Sequence, residues 1–399
     1  MTRLALRTPA VKRRQMLTIV VHAILIPLSL SAFFVICAFV WTLPIIALYL
    51  GFMFIDPRGE SGTNLGPIQL WFRNARWWKW FAEYFPIVLH KTVDLDPCFE
   101  QTSECESIFG SNANGELRNT NQVKYIEQKA FLVRAYGFIR SLFRWWFLNL
   151  TGQGKKWAKP TGKRYIFGYH PHGIIGMGVL GGVATNGAYW NKLFPGIPVR
   201  LLTISNNFKI PLYREYLLAA GVASVSKHSC IKLLENGNPI CIVVGGARES
   251  LLAQPGKMDL ILAKRFGFVK IALKTGASLV PIVGFGENDI FKQATLQGTL
   301  GTELHGMMTR NFGYTIPLFH ARGIFNYDKG IIPYRRQIHV VVGRPVDVPM
   351  IANPTDQQVQ HYHDLYVAEL TKLYNENKPK YWSAGGELVL ADAPTKIKR

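Results

Sequence analysis

Acid is scarce in this chain. Its 399 residues carry 25 Asp and Glu against 46 Lys and Arg, a formal net charge of +21. Such an excess suits nucleic acid or an anionic surface. No nucleic-acid-binding motif accompanies it, so lipid headgroups or a polyphosphate cosubstrate fit better. Asp, Glu, Lys and Arg are missing altogether from Met16 to Ile55, where His22 is the only side chain that titrates near neutral pH. A buried core helix would not run this far without a polar face, and a signal-peptide apolar region spans only about 7–15 residues, so both are excluded. Cysteine is sparse: Cys37, Cys98, Cys105, Cys230 and Cys241 are odd in number and lack metal-ligand spacing. They read as free thiols on the reducing side of a membrane. There is no internal repeat. No serine or cysteine sits in a nucleophile elbow, which removes a covalent acyl-enzyme of that type.

The uncharged stretch is what remains to be housed. A bilayer core asks about 20 apolar residues per helical span, so one long tilted helix or two packed ones fit. Pro27 and Pro44 are the candidate breaks. Arg3, Arg7, Lys12, Arg13 and Arg14 precede the stretch, and Arg58, Arg73, Arg76 and Lys79 follow it. Positive charge on both flanks favours a hairpin with both ends in the cytosol. Its second arm, from about Leu43 to Ile55, is short for a full span, so a re-entrant hairpin is equally open. The chain divides into a basic cytosolic tail (1–15), a membrane hairpin (16–56), an intermediate region (57–160) and a catalytic domain (161–399).

The intermediate region holds two aromatic and basic stretches, Trp71 to Phe81 and Phe131 to Leu150. Tryptophan beside lysine and arginine suits the bilayer interface, and a helix with a buried aromatic face is the alternative. Between them, Thr92 to Leu117 contains no Lys or Arg and six acidic residues. This segment reads as a solvated insertion.

From about residue 161 short β-branched runs alternate with helical patterns. Strands are expected at Tyr165–Tyr169, Arg200–Ile204, Val222–Val225, Ile240–Val244, Leu279–Val283 and Ile338–Val342. Helices are expected at Leu212–Ala220, Phe266–Lys274 and Asp356–Asn375, the last with Val359, Tyr362, Tyr366, Leu370 and Leu373 on one side. The alternation predicts an α/β domain whose mixed, largely parallel sheet is flanked by helices.

Three expected strands end in chemistry. Tyr169-His170-Pro171-His172-Gly173 is a strand-to-helix turn presenting two imidazoles, and a histidine at a strand end can act as a general base. Gly245-Gly246-Ala247-Arg248-Glu249 offers turn amides for an anion or oxyanion, with Glu249 able to hold and polarise an imidazole. Val280 to Glu287 brings a second carboxylate. These turns would share one edge of the sheet.

Read in order, the motifs resemble the type-2 diacylglycerol acyltransferases, a family that also includes monoacylglycerol acyltransferases and wax-ester synthases. The resemblance runs from the hairpin through Tyr84-Phe85-Pro86, His170–Gly173, Arg214 to Ser226, Gly245–Glu249, Arg265 to Ala272 and Val280 to Glu287. It ends with Pro317 to Gly323 and Gly343-Arg344-Pro345. Val244 stands where family members usually carry proline, and the acidic segment resembles an insertion of fungal-type members. The resemblance implies a glycerolipid acyltransferase-like fold. It also implies transfer of a fatty acyl group from acyl-CoA to the free hydroxyl of diacylglycerol, without a metal or cofactor. His170, His172 and Glu249 are the expected catalytic residues. Substrate contacts are expected from Tyr84, Phe85, Pro86, Gly173, Gly245, Gly246, Arg248, Arg265 and Glu287, with Arg248, Arg265 and Lys270 toward CoA phosphates. The setting it implies is the endoplasmic reticulum membrane and the lipid-droplet surface, with membrane lipids as partners and homo-oligomers open.

Neither spacing nor resemblance chooses between the two histidines. Related glycerophosphate acyltransferases use His-x4-Asp, but counting five on from His170 reaches Ile175. A metal-dependent hydrolase would need third and fourth ligands that the spacing does not supply. A non-catalytic scaffold for lipid droplets is the rival outside enzymes. Monoacylglycerol or a long-chain alcohol is the rival acceptor, since a few apolar contacts discriminate by only about 1–3 kcal/mol.

Overall fold

The computed structural model describes residues 9–60, 65–100, 159–293, 319–323 and 330–391. The Phe131–Leu150 stretch, most of the acidic segment, Cys105 and Pro317-Leu318 lie outside the described residues. Strands, in chain order, are β1 Val88–Lys91, β2 Tyr165–His170, β3 Arg200–Thr203, β4 Ala223–Ser224, β5 Ile240–Val243, β6 Met258–Leu260, β7 Ser278–Phe285, β8 Lys292–Gln293, β9 Phe319–His320, β10 His339–Val342 and β11 Leu388–Leu390.

Seven of these form one sheet in the order β1-β10-β7-β2-β5-β3-β4. All neighbours pair in parallel except β10 with β7, so the sheet is mixed and largely parallel, as expected. It also takes in β1, which lies upstream of residue 161. The folded unit therefore begins earlier in the chain than the expected catalytic domain.

Both sheet faces are covered, which is why β2 is buried at all six residues. Period-2 alternation sorts the side chains. Tyr165, Phe167 and Tyr169 of β2 join Val280 and Ile282 of β7 on one face, under Trp78, Phe81 and Met177. Ile166, Leu279, Val283 and Phe285 join the other, under Leu233, Phe268, Leu370 and Leu373. Each large apolar side chain buried there contributes about 1.5–3 kcal/mol.

The first helix, Ala10–Ala23, packs partly on the folded unit. Gln15, Thr18 and Ile19 are buried, and Ile19 sits in the core beside Trp78 and Phe81. Two helices follow, Leu25–Cys37 and Leu43–Ile55, and the chain bends by 68° between the first and second helices. The break falls at Ile24. Pro27 sits inside the first turn of the second helix, where a missing N–H costs nothing. Pro44 starts the third. Among the described residues no single helix is long and apolar enough to cross a membrane.

Helix Arg76–Tyr84 takes the buried-face alternative rather than the interface. Trp78, Phe81, Ala82 and Tyr84 are buried, while Trp71, just upstream, is exposed.

Candidate active site

The β2–β7 register sets His170 opposite Val283, and the β2–β5 register sets Tyr169 opposite Val243. The segments following β2, β5 and β7 therefore leave the sheet at the same edge. This brings together the His170–Gly173, Gly245–Glu249 and Glu287 turns, as their strand-end positions predict.

Strand parity then separates the groups. His170 lies on the face of Ile166 and Gly168 and is 1% exposed. Its Nε2 is 2.9 Å from the Tyr366 hydroxyl, which in turn donates to the Gly168 carbonyl at 3.3 Å. Gly168 permits this, because a Cβ there would collide with the phenol. His170 Nδ1 has no partner. The arrangement that strands no buried N–H has Nε2–H donating to Tyr366 and leaves Nδ1 a bare acceptor. Burial pushes this imidazole down to about 3.

The His170–Pro171 peptide is cis. Beyond it His172 is half-buried, with Nδ1 2.9 Å from the Gly173 carbonyl. A carbonyl only accepts, so Nδ1 carries the proton and Nε2 presents a lone pair. Burial lowers this imidazole, and the Gly173 bond partly offsets that. Both histidines are thus neutral near pH 7.

Glu249 is 2% exposed. It was expected to grip an imidazole. Instead its oxygens accept backbone amides, Oε1 from His172 at 2.6 Å and Oε2 from Ile261 at 2.8 Å. The carboxylate fixes where the His172 backbone sits. Burial raises it to about 7, against the lowering from those two amides. Gly245 packs so closely on this carboxylate that a Cβ would collide with it, whereas Gly246 has open space and a left-handed φ of 64°.

Glu287 is the counterpart on the other face. Its Oε2 accepts from the Tyr169 hydroxyl at 2.7 Å and from the Gly178 amide at 2.8 Å, and its Oε1 is buried without a partner. Burial raises Glu287 to about 7. Gly173 lies against it, with room for no Cβ.

Other expected contacts fall elsewhere. Arg265 donates to the Gly245 carbonyl at 3.1 Å and so braces the turn. Lys270 pairs with Asp356 at the surface. Arg248 is exposed beside Glu249. Tyr84 and Phe85 are fully buried. The Tyr84 hydroxyl donates to the Pro333 carbonyl, and its ring lies under the Arg335 guanidinium at 4.3 Å. These two residues brace the core, and only Pro86 of the triplet reaches the surface.

Sequence reasoning missed Tyr366 and Tyr169 as polar partners. A signal for both existed: a phenol on an otherwise apolar buried stripe has to find a hydrogen-bond partner.

Two imidazoles and two buried carboxyls thus gather at the carboxyl edge of a covered, largely parallel sheet, the edge where α/β enzymes place their chemistry. Against known families, the diacylglycerol acyltransferase model matches residues 33–117 and 120–391. The chain is 40% identical over 393 residues to diacylglycerol O-acyltransferase 1 of Saccharomyces cerevisiae, covering 96% of this chain and 88% of that protein. It is 39% identical over 388 residues to diacylglycerol O-acyltransferase 2A of Umbelopsis ramanniana, covering 94% and 89%. It is also 36% identical over 346 residues to 2-acylglycerol O-acyltransferase 1 of Bos taurus, covering 86% and 84%. No solved structure matches. The chain belongs to the diacylglycerol acyltransferase family.

Proposed function

We propose that this protein is an acyl-CoA:diacylglycerol O-acyltransferase in which His172 is the general base. The observation that carries the base is the Nδ1–Gly173 bond, which fixes the tautomer and leaves Nε2 without a partner on a half-buried ring. His170 is sealed in and pushed to about 3, a poor match to a base working near neutrality. As the diacylglycerol hydroxyl attacks the thioester carbonyl, Nε2 takes its proton. The carbon–sulfur bond then breaks, and the proton passes to the departing CoA thiolate. The strand-end turn amides supply donors for the oxyanion.

The apolar hairpin supports a membrane setting. Trp41 is 92% and Phe54 94% exposed. Helices Leu25–Cys37 and Leu43–Ile55 have 13 residues each, about 20 Å at 1.5 Å per residue. That is short of a bilayer core of about 30 Å. The hairpin dips into one leaflet and returns, which suits both an endoplasmic reticulum membrane and the monolayer of a lipid droplet, with both ends cytosolic.

The test is a membrane assay with labelled acyl-CoA and a panel of diacylglycerol, 2-acylglycerol and a long-chain alcohol. His172→Ala should lower triacylglycerol formation about 10²–10⁴-fold, the usual range for a general base, while the protein still accumulates and melts normally. Wild-type rates in that variant would overturn the assignment. A faster reaction with 2-acylglycerol would replace the acceptor.

A further inference from the structure

The loop after β7 runs past Glu287 into a cavity of about 360 Å³, a size within the range of ligand pockets. Its walls include Gly256, Asp289, Lys292, Tyr334, Arg336 and Trp382. Three hydrogen bonds place it beside the active site. Asn288 Nδ2 donates to the Lys257 carbonyl, the Gly256 amide to Asp289 Oδ1 and Gln293 Nε2 to the Leu251 carbonyl, each at 2.8 Å. They staple the segment after β7 to the loop that leaves the Glu249 turn. The cavity therefore lies between continuations of two of the three strand ends that build the site.

Charge and aromatic surface meet there. Arg336 is exposed, and among the described residues its guanidinium has no hydrogen bond or ion pair. Lys292 holds its ammonium over the Tyr334 ring at 5.9 Å and has no acidic partner. The wall's carboxylate, Asp289, is already committed at both oxygens, to Gly256 and to Trp382 Nε1 at 2.7 Å. That second bond fixes the indole, and Gly385 packs against its ring so closely that a Cβ could not fit. A rigid aromatic wall flanked by two uncommitted cations fits a base carrying phosphates, by stacking and by charge. Of the three expected phosphate ligands, Arg265 and Lys270 already have partners, and Arg248 is exposed on the Glu249 turn.

We propose that this cavity holds the adenosine-phosphate end of the acyl-CoA donor, with phosphates on Lys292 and Arg336 and adenine against the Trp382–Tyr334 wall. The assignment rests on the acyl-CoA reading above. It gives that donor a binding end distinct from the reacting thioester.

The experiment uses full-length protein in membranes and compares three acyl donors with one acyl chain: the CoA thioester, its 3′-dephospho form and the bare pantetheine thioester. The wild type should prefer the CoA thioester over the pantetheine thioester in kcat/KM. Lys292→Ala and Arg336→Ala should each shrink that preference about tenfold, the effect of one lost charge-assisted contact. The KM for diacylglycerol should stay unchanged. Arg336→Lys should restore part of the preference, and melting curves show that the variants fold. Undiminished donor discrimination in both alanine variants would overturn the cavity assignment alone. A wild type that forms no acylglycerol from any of the three donors would overturn the acyl-transfer reading and this proposal with it.

Discussion

Replacing Glu249 by glutamine tests how the fold holds its reactive turn. The wild-type carboxylate offers both oxygens to backbone donors, His172 N at 2.6 Å and Ile261 N at 2.8 Å. Glutamine keeps the shape but owns one acceptor. Its amide nitrogen must then face the second N–H, donor against donor, in a pocket that is 2% exposed. A hydrogen bond to a charged acceptor is worth about 1.5–3 kcal/mol, and an orphaned buried donor adds about 1–3 kcal/mol. The summed penalty is about 2.5–6 kcal/mol. If half of it falls on the transition state, through a displaced His172, kcat drops about 10- to 100-fold, since about 1.4 kcal/mol is a factor of ten. The remainder appears as lost stability. The assay is steady-state triacylglycerol formation in membranes, with a thermal-shift curve on the detergent-solubilised protein. Glu249→Asp should fail as well, because a carboxylate one methylene shorter reaches neither amide. The acceptor KM should not move. Wild-type kcat and melting temperature in Glu249→Gln would show that the carboxylate does not hold the turn.

Two further outcomes follow from buried charge. Glu249 and Glu287 sit at about 7 in the folded protein, raised from about 4.5 by burial. Raised folded-state values mean that the native form binds the extra protons, so their contribution to stability is full below about pH 4.5 and is lost as pH rises through 7. Melting temperature should therefore fall between about pH 4.5 and 7.5, and Glu287→Gln should flatten the slope; equal slopes in the two proteins would refute this. At the base of the hairpin, Asp56 caps helix Leu43–Ile55 and pairs with Arg214, which is 2% exposed. Asp56→Ala leaves that guanidinium with Glu215 as its one carboxylate among the described residues and should cost about 3–5 kcal/mol; protease sensitivity near residue 56 equal to wild type would count against the pairing.

The sheet was readable because its strands are short, β-branched and bounded by turn residues. All six expected strands appear, most within one or two residues. β1 escaped because four residues at a sheet edge, with only Leu89 buried, carry almost no pattern. The active-site turns were readable as strand ends, yet their internal contacts were not. Glu249 binds two main-chain amides, and a main-chain partner leaves no trace in residue identity. The packing at the start of the hairpin was hidden for a different reason. Apolar composition cannot tell lipid from protein interior, so Gln15, Thr18 and Ile19 of the first helix find core neighbours while Trp41 and Phe54 face outward.

The parity of β2 explains why one pentapeptide can carry the site. Tyr169 turns to one face and ties Glu287; His170 turns to the other and ties Tyr366. Both faces are thereby locked before the chain reaches His172, which emerges at the edge where Glu249 takes its amide. This leaves three polar atoms at the edge without partners: His170 Nδ1, His172 Nε2 and Glu287 Oε1. Leaving a buried polar atom unpaired costs about 1–3 kcal/mol. Of the three, only His172 Nε2 belongs to a half-buried ring, whereas His170 and Glu287 are sealed at 1% exposure. A hydroxyl group can donate to that lone pair, which a carbonyl, itself only an acceptor, cannot do.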